Sequence, residues 1–297
     1  MEASQQTCYR HPGRETNVSC SNCGRPICTD CMTPSPVGMR CPECMNERQQ
    51  VYTRADITPG PVAAIWREAP VTTALIAINL VVFLLQIATG AQFGALTSSI
   101  QGWVMEHGVF YGPLIADGEY WRVVTPGFLH FGLIHIALNM YLLYVLGRML
   151  EPELGSIQML AVYFASLIAG SLGAMVLEPG TPSAGASGAV FGLMGMALVV
   201  AWSRRNRDAL QQIGILVALN LFITFGNSSI SKGGHLGGLL GGALCALILF
   251  KIGERRGLVG VHGKNRWIGT GIVVALGVVM YAACIVIARN TYPELLG

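Results

Sequence analysis

Three places in the chain put a reactive or strongly polar side chain inside a long apolar run, where such groups are costly and are functional candidates by default. Ser187 stands in Gly185-Ala-Ser-Gly-Ala-Val-Phe-Gly192. His235 stands in Gly233-Gly-His-Leu-Gly-Gly-Leu-Leu-Gly-Gly242. His135 and Asn139 sit four apart in His-Ile-Ala-Leu-Asn, on one helix face about a turn from each other. A serine hydroxyl within reach of an imidazole is the minimum for an activated nucleophile, the base taking the hydroxyl proton during attack. No Asp or Glu stands at that level to orient His235, so the expected arrangement is a dyad. A second chemistry is written near the N-terminus as Cys8-x2-His11, Cys20-x2-Cys23, Cys28-x2-Cys31 and Cys41-x2-Cys44. These four knuckles supply enough ligands for two tetrahedral zinc sites, one with three thiolates and an imidazole, the other with four thiolates.

The elements that must position these residues follow from composition. The 297 residues are 52% hydrophobic and only 12% charged, with a mean hydropathy of +0.52. A typical soluble domain carries about 25% charged residues, so a soluble enzyme and a disordered chain are both excluded. The net charge of +3 comes without a Lys/Arg block, so no nucleic acid partner is expected. The expected partners are the lipid bilayer and membrane-protein substrates. Seven of the nine cysteines fall at metal-ligand spacing in the head, while Cys245 and Cys284 stand alone in apolar runs. That distribution fits a reduced, metal-binding head better than an oxidised disulfide scaffold.

From Pro70 onward, seven apolar runs are long enough to span hydrocarbon: about 71–88, 131–149, 156–177, 186–202, 210–225, 233–251 and 267–288. The expectation is an all-α polytopic membrane protein with a small zinc-binding head at 1–46, a linker at 47–69 with interfacial character near Trp66, a core at 70–252, and a seventh span followed by a short outer tail within 253–297. The first apolar run begins only after residue 60, so no signal peptide is expected. Arg204, Arg205 and Arg207 cluster in one break, and Lys251, Arg255, Arg256, Lys264 and Arg266 in another. The 90–120 and 178–184 breaks carry only Arg-free and Lys-free sequence. The positive-inside rule then puts the N-terminus in the cytoplasm and the C-terminus outside a cell membrane, with Lys232 and Arg289 as outer-edge exceptions. Spans two, four and six run from outside to inside, and His135, Ser187 and His235 each lie within one to two turns of the outer end. Matched depth is what a single site below the outer surface requires. Gly188 with Gly192, and Gly234 with Gly238 and Gly242, form small-residue rows that let two helix backbones approach.

Gly-Ala-Ser-Gly-Ala-Val-Phe-Gly, followed 48 residues on from its serine by the histidine of Gly-Gly-His-Leu-Gly-Gly and preceded by His130-Phe-Gly-Leu-Ile-His-Ile-Ala-Leu-Asn139, resembles the rhomboid family of intramembrane serine proteases. The resemblance covers roughly residues 70–252, and Trp121-Arg122 is similar to the family's tryptophan–arginine pair in the first loop. It implies a six-helix core, Ser187 as nucleophile, His235 as general base, and His135 and Asn139 as side chains helping the Ser187 backbone N–H to hold the oxyanion. It also implies that the substrates are transmembrane segments of other proteins, cut without a catalytic cofactor. The seventh span matches a variant of that arrangement. Phe191 departs from relatives that carry Tyr there, leaving a ring to pack on His235 but no phenol. The head resembles a B-box-type zinc finger. By that likeness it is cross-braced, with Cys8, His11, Cys28 and Cys31 on one ion and Cys20, Cys23, Cys41 and Cys44 on the other; sequential pairing also satisfies the spacing. Such a head can serve a protein partner. The rival readings are a catalytically silent binder on the same core, a membrane-anchored ubiquitin-ligase-like protein working through the head, and a transporter using His135 and His235 as a proton path. His130 is expected to hold the long outer loop, and Tyr144 and Tyr163 to be ordinary span residues.

Overall fold

The computed structural model describes residues 6–35, 38–45, 68–91, 100–252 and 266–295. Most of the linker, Trp66, and the basic break at 253–265 lie outside the described residues, as do the side chains of Lys251 and Arg266. The chain divides into two compact units, Met1–Ala64 and Ile65–Gly297.

The head holds two short antiparallel ribbons, β1 (Gln6–Thr7) with β2 (Glu15–Thr16), and β3 (Thr33–Ser35) with β4 (Gly38–Arg40). Its buried interior is Ile27 together with Cys8, Cys20, Cys28, Cys31, Cys41 and Cys44. One aliphatic side chain cannot hold so small a fold, so something other than apolar burial must do it.

The second unit is helical. Its long helices are α1 (Pro70–Ala88), α4 (Leu133–Leu154), α5 (Ser156–Leu177), α6 (Ser187–Ser203), α7 (Arg207–Gly226), α8 (Lys232–Ala246) and α9 (Arg266–Thr291); α2 (Trp103–Gly108) and α3 (Gly112–Ala116) are short helices between α1 and α4. Six of these elements are long and apolar enough to cross a membrane, the one containing α8 continuing through a π-helical turn at Leu247–Ile252. The chain is a multi-pass membrane protein. Its exposed side chains are largely apolar, among them Phe222, Leu133, Leu240 and Val279, the surface a helix presents to lipid.

α6 is the shorter apolar helix at 17 residues, and Ala189 through Ala197 are all buried. A helix buried on every face is a core helix. At 1.5 Å per residue it reaches about 26 Å, against roughly 30 Å of hydrocarbon, so its first residue falls short of one surface. Glycine makes the packing around it possible. A Cβ on Gly238 would stand 2.0 Å from the Gly188 carbonyl oxygen, and one on Gly242 would stand 1.8 Å from that of Gly192. On its other side α8 meets α5, where a Cβ on Gly233 would stand 2.3 Å from Gly173 O.

Two carboxylates, Glu151 buried and Glu178 half-buried, tie the helix ends. Glu151 accepts hydrogen bonds from the Val71 and Thr72 N–H groups at 2.9 and 2.8 Å, and from the Thr72 and Ser156 hydroxyls at 2.7 and 2.8 Å. Those N–H groups belong to the first turn of α1, which has no carbonyl of its own to satisfy them. Glu178 accepts from Ser231 Oγ at 2.7 Å and Lys232 N at 3.2 Å, anchoring the start of α8. The C-terminal α9 packs on α5, and Tyr281 donates to Tyr120 O at 3.1 Å.

Candidate active site and metal centre

Ser187 is the first residue of α6 and His235 lies in the first turn of α8. The glycine contacts bring them together, with Ser187 Oγ 2.8 Å from His235 Nε2. The Phe191 ring, one turn down α6, stacks on the imidazole with centroids 4.1 Å apart and planes 21° from parallel. Because Ser187 opens its helix, its N–H and those of Gly188 and Ala189 precede the first intrahelical bond, from Val190 N–H to Ala186 O at 3.0 Å. No side chain caps them. The positive end of a helix dipole and free N–H donors therefore lie beside the hydroxyl.

His135 enters from the first turn of α4. Its Nδ1 accepts a hydrogen bond from Phe131 N–H at 3.2 Å, which leaves the proton of the neutral ring on Nε2 as a donor. A Cβ built on Gly185 would sit 2.8 Å from His135 Nε2 and 3.3 Å from Ser187 Oγ. Gly185, at φ +139, thus keeps open the small space between the hydroxyl and the imidazole donor. Asn139 lies one turn deeper and is buried, its Nδ2 donating to His135 O at 2.9 Å. It turns one hydrogen of its amide back onto its own helix.

The loop between α1 and α4 fixes the segment that leads into Ser187. Phe110 and Ser183 exchange backbone hydrogen bonds at 2.9 and 3.1 Å, Gly112 N donates to Pro179 O at 2.9 Å, and Gly185 N donates to Pro126 O at 2.9 Å. The loop is itself held by Arg122, buried, whose guanidinium pairs with Glu119 and donates to Val109 O and Glu106 O, both at 2.8 Å. Trp121 donates to His107 O at 2.9 Å. The role expected of His130 belongs to its backbone. Gln86 accepts from His130 N and donates to His130 O, both at 3.1 Å, while the imidazole packs edge-on against His135 at 5.1 Å. Tyr144 is paired with Arg148, and Tyr163 is fully buried in the core.

Sequence reasoning missed one residue, Thr224, on α7. Its Oγ1 lies 2.7 Å from His235 Nδ1. Threonine is common in membrane helices, where it bonds back to its own turn, so nothing in its type or spacing singled it out.

In the head, Cys8, His11, Cys28 and Cys31 form one group and Cys20, Cys23, Cys41 and Cys44 another, with ligand atoms in each group all within 4.8 Å of one another. The two groups interleave along the chain, the arrangement that cross-bracing requires. His11 Nδ1 stands 3.8, 3.3 and 3.4 Å from the sulfurs of Cys8, Cys28 and Cys31, and Cys23 Sγ stands 3.7 Å from Cys41 Sγ. A tetrahedron with metal–sulfur bonds of about 2.3 Å has edges of about 3.8 Å, slightly less where nitrogen replaces sulfur. The residues present fit zinc. Burial pushes the Cys41 thiol up to about 12, whereas Cys20 sits at about 6 because N–H groups of Cys23, Cys41 and Asn22 outweigh its burial. A bound dication would favour the thiolate form of both.

The Rhomboid domain profile matches residues 117–252, the stretch that holds every residue of the Ser187 site. Rhomboid protease GluP of Bacillus subtilis is 41% identical over 170 residues, covering 56% of this chain and 32% of the relative. YdcA of the same organism, described as a candidate rhomboid protease, is 37% identical over 146 residues, covering 48% of this chain and 73% of the relative. Rhomboid-like protease 3 of Toxoplasma gondii is 37% identical over 142 residues, covering 46% of this chain and 54% of the relative. The chain thus spans about a third of GluP and about half of the Toxoplasma protein, but nearly three quarters of YdcA. Sharing that core sequence and the helical architecture that goes with it, the chain belongs to the rhomboid family.

Proposed function

We propose that this protein is an intramembrane serine endopeptidase that cleaves transmembrane segments of other membrane proteins. The observation that carries the reading is the 2.8 Å contact between Ser187 Oγ and His235 Nε2 at the start of a short, buried helix. Ser187 Oγ attacks the scissile carbonyl carbon while His235 Nε2 takes its proton. The same imidazole then returns that proton to the leaving amine, giving a peptide amine and an ester on Ser187. Water, deprotonated by His235, hydrolyses the ester and restores the hydroxyl. The negative oxygen that develops in both halves is met by the Ser187 backbone N–H, by His135 Nε2–H, and by the second amide hydrogen of Asn139. The charge distribution of the breaks supports a cytoplasmic N-terminus and an outer C-terminus, with the site toward the outer face.

The head's part is structural: Cys8, His11, Cys28 and Cys31 hold one zinc ion, and Cys20, Cys23, Cys41 and Cys44 the other. The metal supplies folding free energy to a domain with almost no apolar core, and the folded surface is suited to a protein partner. The deciding experiment incubates detergent-purified protein with a model transmembrane substrate. Wild type should cut it and Ser187→Ala should not; equal cleavage by both at the same bond would overturn the mechanism.

A further inference from the structure

Resting on that proteolytic reading, we propose that Thr224 is the positioning residue of the base, holding His235 in the one tautomer able to accept the serine proton. Thr224 is fully buried on α7, a helix otherwise turned largely to lipid with Ile213 and Val217 as its other buried side chains. Its Oγ1 makes two short contacts, 2.7 Å to Asn220 O and 2.7 Å to His235 Nδ1. A hydroxyl has one proton, and a carbonyl oxygen can only accept. The Thr224 proton therefore goes to Asn220 O, and the oxygen presents lone pairs to His235. That contact is attractive only when Nδ1 carries hydrogen. In a neutral imidazole the proton on Nδ1 leaves Nε2 bare, which is the state required to receive the Ser187 proton at 2.8 Å.

The chain of donors thus runs from Ser187 Oγ to His235 Nε2, from His235 Nδ1 to Thr224 Oγ1, and from Thr224 Oγ1 to Asn220 O. When Nε2 takes the serine proton the ring becomes a cation with two N–H donors. Thr224 Oγ1 remains an acceptor throughout, and a hydrogen bond from a charged donor is stronger than one from a neutral ring. The interaction is therefore worth more in the transition state than before it. A threonine bonded back onto its helix explains the Asn220 contact by itself. It does not explain why the same oxygen faces a ring nitrogen of the base.

Thr224→Val keeps the shape and removes the acceptor; Thr224→Ser keeps the acceptor. With purified full-length protein and a model transmembrane substrate, kcat of Thr224→Val should fall about 10- to 100-fold with KM within about twofold of wild type. Labelling of Ser187 by a fluorophosphonate should slow by a similar factor. Thr224→Ser should stay within about threefold of wild type. A wild-type rate in Thr224→Val, equal losses in both variants, or a loss confined to KM would overturn the proposal. The tautomer can also be read in the unmodified protein by nitrogen NMR of labelled histidine, with His235→Ala to assign the signal; a neutral His235 protonated on Nε2 overturns the proposal whatever the variants do. Ser187→Ala separates the two levels. If it still cleaves, the proteolytic reading fails and this inference with it; if it is inert while Thr224→Val is normal, this inference alone fails.

Discussion

Ser187→Ala and His235→Ala should each abolish cleavage while leaving thermal stability in detergent near that of wild type. Each removes a group whose polar contact belongs to the site and leaves the glycine packing beneath it intact. His135 and Asn139, the side chains proposed to hold the oxyanion, should give graded losses. His135 Nε2–H is fixed as a donor by the Phe131 N–H on its other nitrogen. Removing one such preorganised donor costs about 10²–10³ in rate, so His135→Ala should be slow but measurable. Asn139→Ala should lose less, because its amide already bonds to the helix. Turnover at the wild-type rate in His135→Ala/Asn139→Ala would remove both residues from the site. Legibility at this scale tracked polarity against background. A serine and histidines in apolar runs are conspicuous, and their shared depth followed from helix rise alone. Thr224 was invisible because a half-apolar side chain that can bond to its own helix needs no other reason to be there.

The interface of α6 and α8 decides whether serine and imidazole meet. Gly238→Ala would drive a methyl to 2.0 Å from the Gly188 carbonyl oxygen, and Gly242→Ala to 1.8 Å from that of Gly192. Backbone atoms cannot rotate away, so the helices must separate. Overpacking of this kind costs about 1–3 kcal/mol, and a shift of about 1 Å at the reacting groups can cost 10²-fold in rate. Each variant should therefore lower both the unfolding temperature in detergent and kcat. Gly214→Ala on α7 is the control, since a Cβ there has nothing within 4 Å. If Gly238→Ala matched Gly214→Ala in stability and rate, close approach would not be what assembles the site. The glycine rows, seven helices and their approximate bounds were legible because the period and length of apolar runs are set by the bilayer. The 3₁₀ turns at Tyr120–Val123 and Thr125–Phe128 and the π-helical turn after α8 were not. They arise where the loop between α1 and α4 folds onto helix ends and where α8 continues into the core with Ile248, Leu249 and Phe250 buried, and both are tertiary effects without local periodicity.

On the largest scale the protein joins two units with different interiors: lipid-facing helices packed through glycine, and a head whose buried residues are almost wholly cysteine. Ser187, His235, His135, Asn139 and Thr224 all fall within Ile65–Gly297. None of the eight Cys and His side chains grouped in the head does. The four knuckles were readable from spacing, but which knuckle lies beside which is a matter of how β1–β2 and β3–β4 fold back, and spacing alone does not order them. Metal analysis of the native protein should find two zinc ions per chain. Since burial within the head is almost wholly cysteine, a strong chelator should unfold it, while the helical unit, whose interior is packed apolar side chains and glycine, should stay folded. A chain shortened to begin near residue 60 should then cleave a model transmembrane substrate in detergent at a rate within a few-fold of the full chain. Chelator-treated full-length protein should do the same. Disulfides among Cys8 to Cys44 without bound metal would overturn the zinc assignment. Complete loss of cleavage on shortening, with the helices shown to be folded by their thermal transition, would overturn the independence of the two units and make the head part of the catalytic apparatus.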